Sequence, residues 1–230
     1  MNLIIKCFLP VIAYLTGSIL PAVFVGKRFF KIDIRNYGSK NAGATNILRV
    51  LGPKAALPVF AFDLLKGVIA VVLVRFTNLQ HETELYVSFQ ILLGLCVVMG
   101  HIFPIFAGFK GGKGVATTAG VVLAMHPYAM IMAFGIFGFC LLISRYVSLS
   151  SITAAICFPI IVIVVFGEIF NESETLTMKI FSILAAVMII FTHRNNIKRL
   201  LNGTESKISF IKKQPPVSDL SADTIKTDTK

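Results

Sequence analysis

Six apolar stretches, at residues 3–25, 55–76, 85–107, 115–143, 152–166 and 176–192, take up most of this chain and leave it few ways to fold. A bilayer core asks for about 20 apolar residues per tilted helix, and within it each segment must satisfy its own backbone polar groups. The composition agrees: 56% hydrophobic residues, 20 Phe and 14% charged residues suit a polytopic membrane protein and not a soluble domain. The first stretch does not read as a signal peptide, since no small-x-small cleavage site follows it and Lys6 stands near its start. Cys7, Cys96, Cys140 and Cys157 lie singly in apolar segments, which argues for small core residues and against a metal site or disulfide framework.

Charge sets the topology. Lys27, Arg28, Lys31, Arg35, Lys40, Arg49 and Lys54 crowd the connection after the first stretch, which places it in the cytoplasm and the N-terminus outside. The acidic connection 77–84 is then external. Lys110 and Lys113 return the chain to the inside, where Arg194, Lys198, Arg199, Lys207, Lys212 and Lys213 also place the last segment. Three apolar blocks lie between, so parity fails unless one is split or does not cross. The block 115–143 is long and carries His126-Pro127 near its middle, where proline removes a donor and the residue before it avoids helical angles. Splitting it gives seven crossings, with 144–151 inside and the acidic 168–174 outside; five crossings with one block lying flat also satisfy parity. The expected fold is all-α: a polytopic membrane bundle of seven transmembrane helices, some short, with catalytic loops on the cytoplasmic side. Residues 1–205 form one integral membrane domain, and 206–230 form a polar tail expected to be disordered. The net charge of +11 follows the ends of the spans and does not form a soluble basic face for nucleic acid.

Three polar clusters fall on the inner side. In Gly108-Phe-Lys-Gly-Gly-Lys-Gly-Val-Ala-Thr-Thr-Ala-Gly120, the glycines Gly111, Gly112 and Gly114 let backbone N–H groups converge on an oxyanion, and Lys110 and Lys113 add charge. A flexible basic turn is the plain alternative. A nucleotide loop is excluded, because Ala107 stands where its first glycine belongs and Gly114 follows Lys113. The first inner connection gathers Ser39, Asn41, Thr45, Asn46 and Arg49, which can serve phosphate or acyl oxygens, although Thr45 or Asn46 can also simply begin a helix. The third cluster, His193 to Glu205, follows the last span; an interfacial histidine is commonly structural, and Lys198 and Arg199 suit lipid headgroups. Within the second span, Asp63 and Lys66 at i, i+3 spacing read as a mutual structural pair, and His101 reads as the end of the third.

Absences narrow the reaction. None of His81, His101, His126 and His193 has an aspartate five positions on, as the His-x-x-x-x-Asp acyltransferases require. The inner connections supply Asp33 alone besides the intramembrane Asp63, so neither a metal nor another cofactor is expected.

The loop Gly38-Ser39-Lys40-Asn41-Ala42-Gly43-Ala44-Thr45-Asn46, the run from Gly100-His-Ile-Phe-Pro104 to Phe109-Lys-Gly-Gly-Lys-Gly-Val-Ala116, the turn Arg145-Tyr-Val-Ser-Leu149 and the closing His193 to Glu205 segment resemble the bacterial PlsY family, in the family's order over residues 1–207. The resemblance implies a seven-helix enzyme of the bacterial inner membrane. It implies transfer of a fatty acyl group from acyl phosphate to the sn-1 hydroxyl of glycerol 3-phosphate, forming lysophosphatidic acid. It further implies that Ser39, Arg49, His193 and Asn196 are catalytic, that Gly111, Gly112, Lys113, Gly114 and Ser148 bind substrate, and that Glu205 is structural. A soluble enzyme that makes acyl phosphate is the implied partner. The rival is a membrane transporter or receptor for a small phosphate ester, binding through the same loops.

Overall fold

The computed structural model describes residues 2–81, 83–170 and 175–208. Glu82, residues 171–174 of the second acidic connection and the tail from 209 onward lie outside the described residues. Among the described residues the regular structure is entirely helical.

The first apolar stretch resolves into α1 (Asn2–Ser18) and α2 (Pro21–Phe30), broken at Ile19-Leu20, where Pro21 starts the second helix without needing a donor. A short α3 (Ala44–Val50) follows, capped by the backbone of Gly43 and not by Thr45 or Asn46, which sit inside its first turn. The next two spans are α4 (Pro53–Val72) and α5 (Glu84–Ile102). The block 115–143 does divide where proline requires it, into α6 (Val115–Met125) and α7 (Pro127–Ser144), and the His126 side chain accepts the Ala129 N–H to cap the second. Helix α8 (Val147–Ile160) passes into a π-helix over Ile161–Ile169. Pro159 gives the cause: it cannot donate to the carbonyl four residues back, and the ring displaces the ladder to a wider register. Last come α9 (Leu176–Thr192) and α10 (Arg194–Leu201), bent 60° apart at His193.

Among the described residues, five helical segments are long and apolar enough to cross a membrane, six if the bent α9–α10 pair counts as one span. Helix α6, with 11 residues, is shorter than a span. Large apolar side chains such as Phe139, Leu142 and Ile143 point outward, the arrangement expected where the solvent is lipid. Lipid tails give packed helices no hydrophobic advantage, so close backbone approach has to hold them together. Glycine supplies it at two crossings. A side chain at Gly17 or Gly100 would strike the facing backbone between α1 and α5, and one at Gly67 or Gly120 would do so between α4 and α6.

Asp63 and Lys66 form the expected buried pair, 2.7 Å apart. Lys66 Nζ also donates to the carbonyls of Gly17 (3.1 Å) and Ile19 (3.0 Å), which the break between α1 and α2 leaves without helical partners. His101 does more than end its span: its Nδ1 lies 2.8 Å from Lys66 Nζ and 3.2 Å from Asp63 Oδ1, so three ionisable side chains and two carbonyls lock α1, α4 and α5 together.

Candidate active site

The loop-rich side of the bundle holds an open cavity of about 390 Å³. Ser39, Asn41, Thr45, Asn46, Arg49, Lys113, Gly114, Ser148, His193 and Asn196 all line it, and Asp63 and His101 reach it from beneath. Residues from widely separated parts of the chain, Ser39 to Ile208, thereby meet in one place.

The first loop is shaped by Asn46. The two hydrogens of its buried amide are shared among the carbonyls of Ile34, Tyr37 and Asn41, each 3.0 Å from Nδ2, and its Oδ1 accepts the Ser39 N–H at 2.8 Å. Gly38, at φ 58°, lies so close to that Oδ1 that a side chain would collide with it. Asn46 therefore spends its hydrogen bonds on presenting Ser39. One turn further on, Arg49 projects from α3 with its Nη2 within 3.2 Å of the Ser206 carbonyl and 3.4 Å of Glu205 Oε1. Its buried Nε has no partner among the described residues, which leaves a donor free for an anion.

Glu205 organises the opposite wall. Oε1 accepts from Ser148 Oγ and Asn196 Nδ2, both at 2.8 Å, and Oε2 accepts from Arg199 Nε at 2.6 Å. Burial alone would raise its pKa, but the hydrogen bonds from Arg199, Asn196 and Ser148 outweigh it and hold the carboxyl below its ordinary value. With its amide hydrogen committed to Glu205, Asn196 turns Oδ1 to Lys113 Nζ at 2.5 Å. Burial pushes the Lys113 ammonium down to about 8; Glu205 opposes this, and Arg199 and Arg49 add to it. Three cations, Arg49, Lys113 and Arg199, thus face one carboxylate, an excess of positive charge that an anionic ligand would neutralise. The first turns of α3, α6 and α8 open on the same space and add their dipoles.

His193 caps α9 with 2% of its surface exposed. Its Nδ1 lies 2.8 Å from the Ile189 carbonyl, which can only accept, so Nδ1 carries the proton and Nε2 is an acceptor in the neutral ring. Burial, reinforced by the Lys113 charge, pushes its pKa down to about 4, so the neutral form prevails at pH 7.

The cavity then turns apolar. Leu57, Phe60, Phe134, Phe137 and Leu141 line its far end, and Phe60, Phe134 and Phe137 are shared with a second cavity of about 110 Å³ bounded by Val122, Met130, Phe158 and Ile189. A cationic, hydrogen-bonding cavity with apolar residues in its lining therefore adjoins a second, more apolar one across those phenylalanines.

Not every expected residue is there. Lys110 is exposed and lies outside the cavity, as do Gly111 and Gly112; the Gly112 N–H donates to the His101 carbonyl at 3.1 Å and so is not offered to a ligand. Lys66 remains in the buried cluster beneath. Sequence reasoning missed Ile208, whose N–H donates to the Arg145 carbonyl at 2.8 Å and whose side chain lines the cavity, so packing continues past 205.

The family model for glycerol-3-phosphate acyltransferase matches residues 7–203. The chain is 42% identical over 222 residues to a glycerol-3-phosphate acyltransferase of Chlorobium phaeobacteroides, covering 86% of this chain and 94% of that one. It is 48% identical over 198 residues to that of Thermoanaerobacter pseudethanolicus, covering 86% and 93%. Two crystal structures of PlsY, an integral membrane glycerol 3-phosphate acyltransferase, are also similar at 38% identity. The glycerol 3-phosphate form matches with a TM-score of 0.77 over 89% of this chain and 96% of that one. The lysophosphatidic acid form matches with a TM-score of 0.74 over 89% and 95%.

Proposed function

Because the chain belongs to the glycerol-3-phosphate acyltransferase family of integral membrane enzymes, we propose that it moves a fatty acyl group from acyl phosphate to the sn-1 hydroxyl of glycerol 3-phosphate, releasing 1-acyl-sn-glycerol 3-phosphate and inorganic phosphate. The observation that carries this reading is a cavity lined both by Arg49 and Lys113 and by Leu57, Phe60, Phe134, Phe137 and Leu141, with an apolar cavity adjoining it. Two phosphates and one acyl chain need that combination.

An acyl phosphate is a mixed anhydride whose phosphate leaves readily, so positioning and charge neutralisation suffice. The sn-1 oxygen attacks the acyl carbonyl carbon, the new C–O bond forms, and the bond to the bridging phosphate oxygen breaks with its electron pair. Lys113 and Arg49 neutralise the phosphates, Ser39, Asn41 and Thr45 donate to phosphate or acyl oxygens, and His193 Nε2 accepts the hydrogen bond that orients the sn-1 hydroxyl. A ring whose pKa is about 4 holds a proton poorly at pH 7, so the departing phosphate, a stronger base with a pKa of about 6 for such groups, carries the proton away.

The same reading gives seven crossings, with α6 as the short one, an outside N-terminus and a site on the cytoplasmic face of a bacterial inner membrane. Glycerol 3-phosphate enters there from water and the acyl chain enters from lipid. A soluble enzyme that makes acyl phosphate would deliver the donor to that face.

Purified protein in detergent, supplied with glycerol 3-phosphate, should turn over repeatedly with palmitoyl phosphate and give no product with palmitoyl-CoA alone. Binding of glycerol 3-phosphate without acyl transfer would instead indicate a carrier, and turnover with the thioester would overturn the donor assignment. The pH dependence provides a second check. Lys113 is charged below about 8 and loses its charge above it. The KM for glycerol 3-phosphate should therefore be flat near neutrality and climb towards about tenfold per pH unit in the alkaline range. A flat profile throughout would remove Lys113 from phosphate binding.

A further inference from the structure

We propose that His101 is the positioning residue for Lys113: its ring and carbonyl form the seat on which the Gly111–Gly114 turn rests, and the Asp63–Lys66 pair fixes that seat. The inference rests on Lys113 being the phosphate-binding lysine proposed above.

One edge of the imidazole is held from below. Nδ1 is within 2.8 Å of Lys66 Nζ and 3.2 Å of Asp63 Oδ1, and Lys66 is anchored in turn by the Gly17 and Ile19 carbonyls. With 3% of its surface exposed, the ring has no room to swing. The other edge lies directly under Gly112. A methyl group there would run into Nε2 and come within 3.0 Å of Cδ2 and Cε1. The His101 carbonyl meanwhile accepts the Gly112 N–H at 3.1 Å. A methyl at Gly111 would strike that same carbonyl, and would lie 2.7 Å from the Ile102 carbonyl and from Pro104 Cδ.

Gly111 and Gly112 are not among the residues with positive φ, so their backbone angles are open to any amino acid. Contact with His101 and its neighbours is what demands glycine at both positions. Lys113 follows at once, pinned from the other side by Thr192 Oγ1, which donates to its carbonyl at 3.2 Å, and by Asn196 Oδ1 at its ammonium. The height of the turn above His101 therefore sets where the Lys113 charge stands, and displacement by about 1 Å is enough to cost catalysis heavily.

A double-mutant cycle tests this. His101→Asn keeps a polar atom facing Lys66 and Asp63 while removing the edge beneath Gly112, whereas His101→Gln extends an amide back to the position of Nε2. In otherwise native protein, Gly112→Ala should raise the KM for glycerol 3-phosphate about 100-fold with little loss of kcat. In the H101N background, itself about tenfold impaired in KM, adding G112A should cost under about threefold. H101Q should keep a near-native KM and leave G112A as costly as before. The proposal is overturned if the H101N and G112A effects simply multiply, if H101N leaves KM unchanged, or if H101Q is as impaired as H101N. Should H101N fail to elute as a folded monodisperse species, the H101Q comparison decides alone. A wild-type chain without acyl transfer would count against the acyltransferase reading instead, and the same cycle is then read from the calorimetric Kd for glycerol 3-phosphate.

Discussion

Lys113→Met lowers kcat/KM for glycerol 3-phosphate by about a thousandfold, about 4 kcal/mol, and leaves the protein no less stable. The size follows from what surrounds the ammonium. It is drawn well out of water: burial lowers its pKa to about 8, yet the acceptor that meets the ammonium among the described residues is the neutral Asn196 Oδ1. A cation held that way is unfavourable in the empty protein and favourable once a phosphate dianion arrives. Removing it therefore relieves the folded state and penalises the loaded one, so activity and melting temperature should part company. Lys113→Arg should recover little. Asn196 Oδ1 meets the ammonium at 2.5 Å, and a planar fork cannot reproduce the contacts of a compact point charge there. Steady-state kinetics with acyl phosphate and a melting curve in detergent check both arms. A K113M enzyme within about tenfold of wild type would place the glycerol phosphate elsewhere.

What the sequence reveals of this protein depends on how local the physics is. The apolar blocks, the division at His126-Pro127 and the last span at 176–192 are properties of contiguous residues, and the helices fall where those residues place them. The break between α1 and α2 went unread because Ile19-Leu20 is as apolar as its flanks; Pro21 alone signals it, and proline at the first turn of a helix is silent in a hydropathy profile. Asp63 and Lys66 announce each other at i, i+3, but His101 joins them only because α5 crosses α4 at that height. Asn46 looks like a ligand donor in a polar loop, yet the tertiary turn uses its amide internally. The glycine run carries two readings in the same way. Glycines suggest an anion cradle, and the same residue type also serves where a ring and two carbonyls press against the backbone. Polar character at the ends of the spans is the more useful signal: Arg49, Lys113 and His193 come from three separate segments and line one cavity, while Lys110, equally charged, lies outside it.

Glu205→Ala should cost both fold and function, by about 3 kcal/mol of stability and about 100-fold in activity. No other carboxylate among the described residues ties so many segments of the site together. It receives Ser148 from α8, Asn196 and Arg199 from α10 and Arg49 from α3. Truncation strands two guanidinium groups beside each other and leaves a hydroxyl and an amide without their acceptor, which is the costly way to break a buried pair. The functional loss follows through Asn196: once Nδ2 is released, Oδ1 no longer has a fixed direction towards Lys113. Glu205→Gln keeps the shape and one acceptor oxygen, so it should fall between the two. The sign of the pH effect is fixed as well. A carboxyl whose folded pKa is lowered stabilises the protein above its unfolded value, and that contribution is lost as pH falls through the folded value. Acidification should therefore lower the melting temperature of the native chain more than that of E205Q. An E205A protein that melts with wild type would show that α3, α8 and α10 are held by apolar packing, and that the carboxylate serves substrate alone.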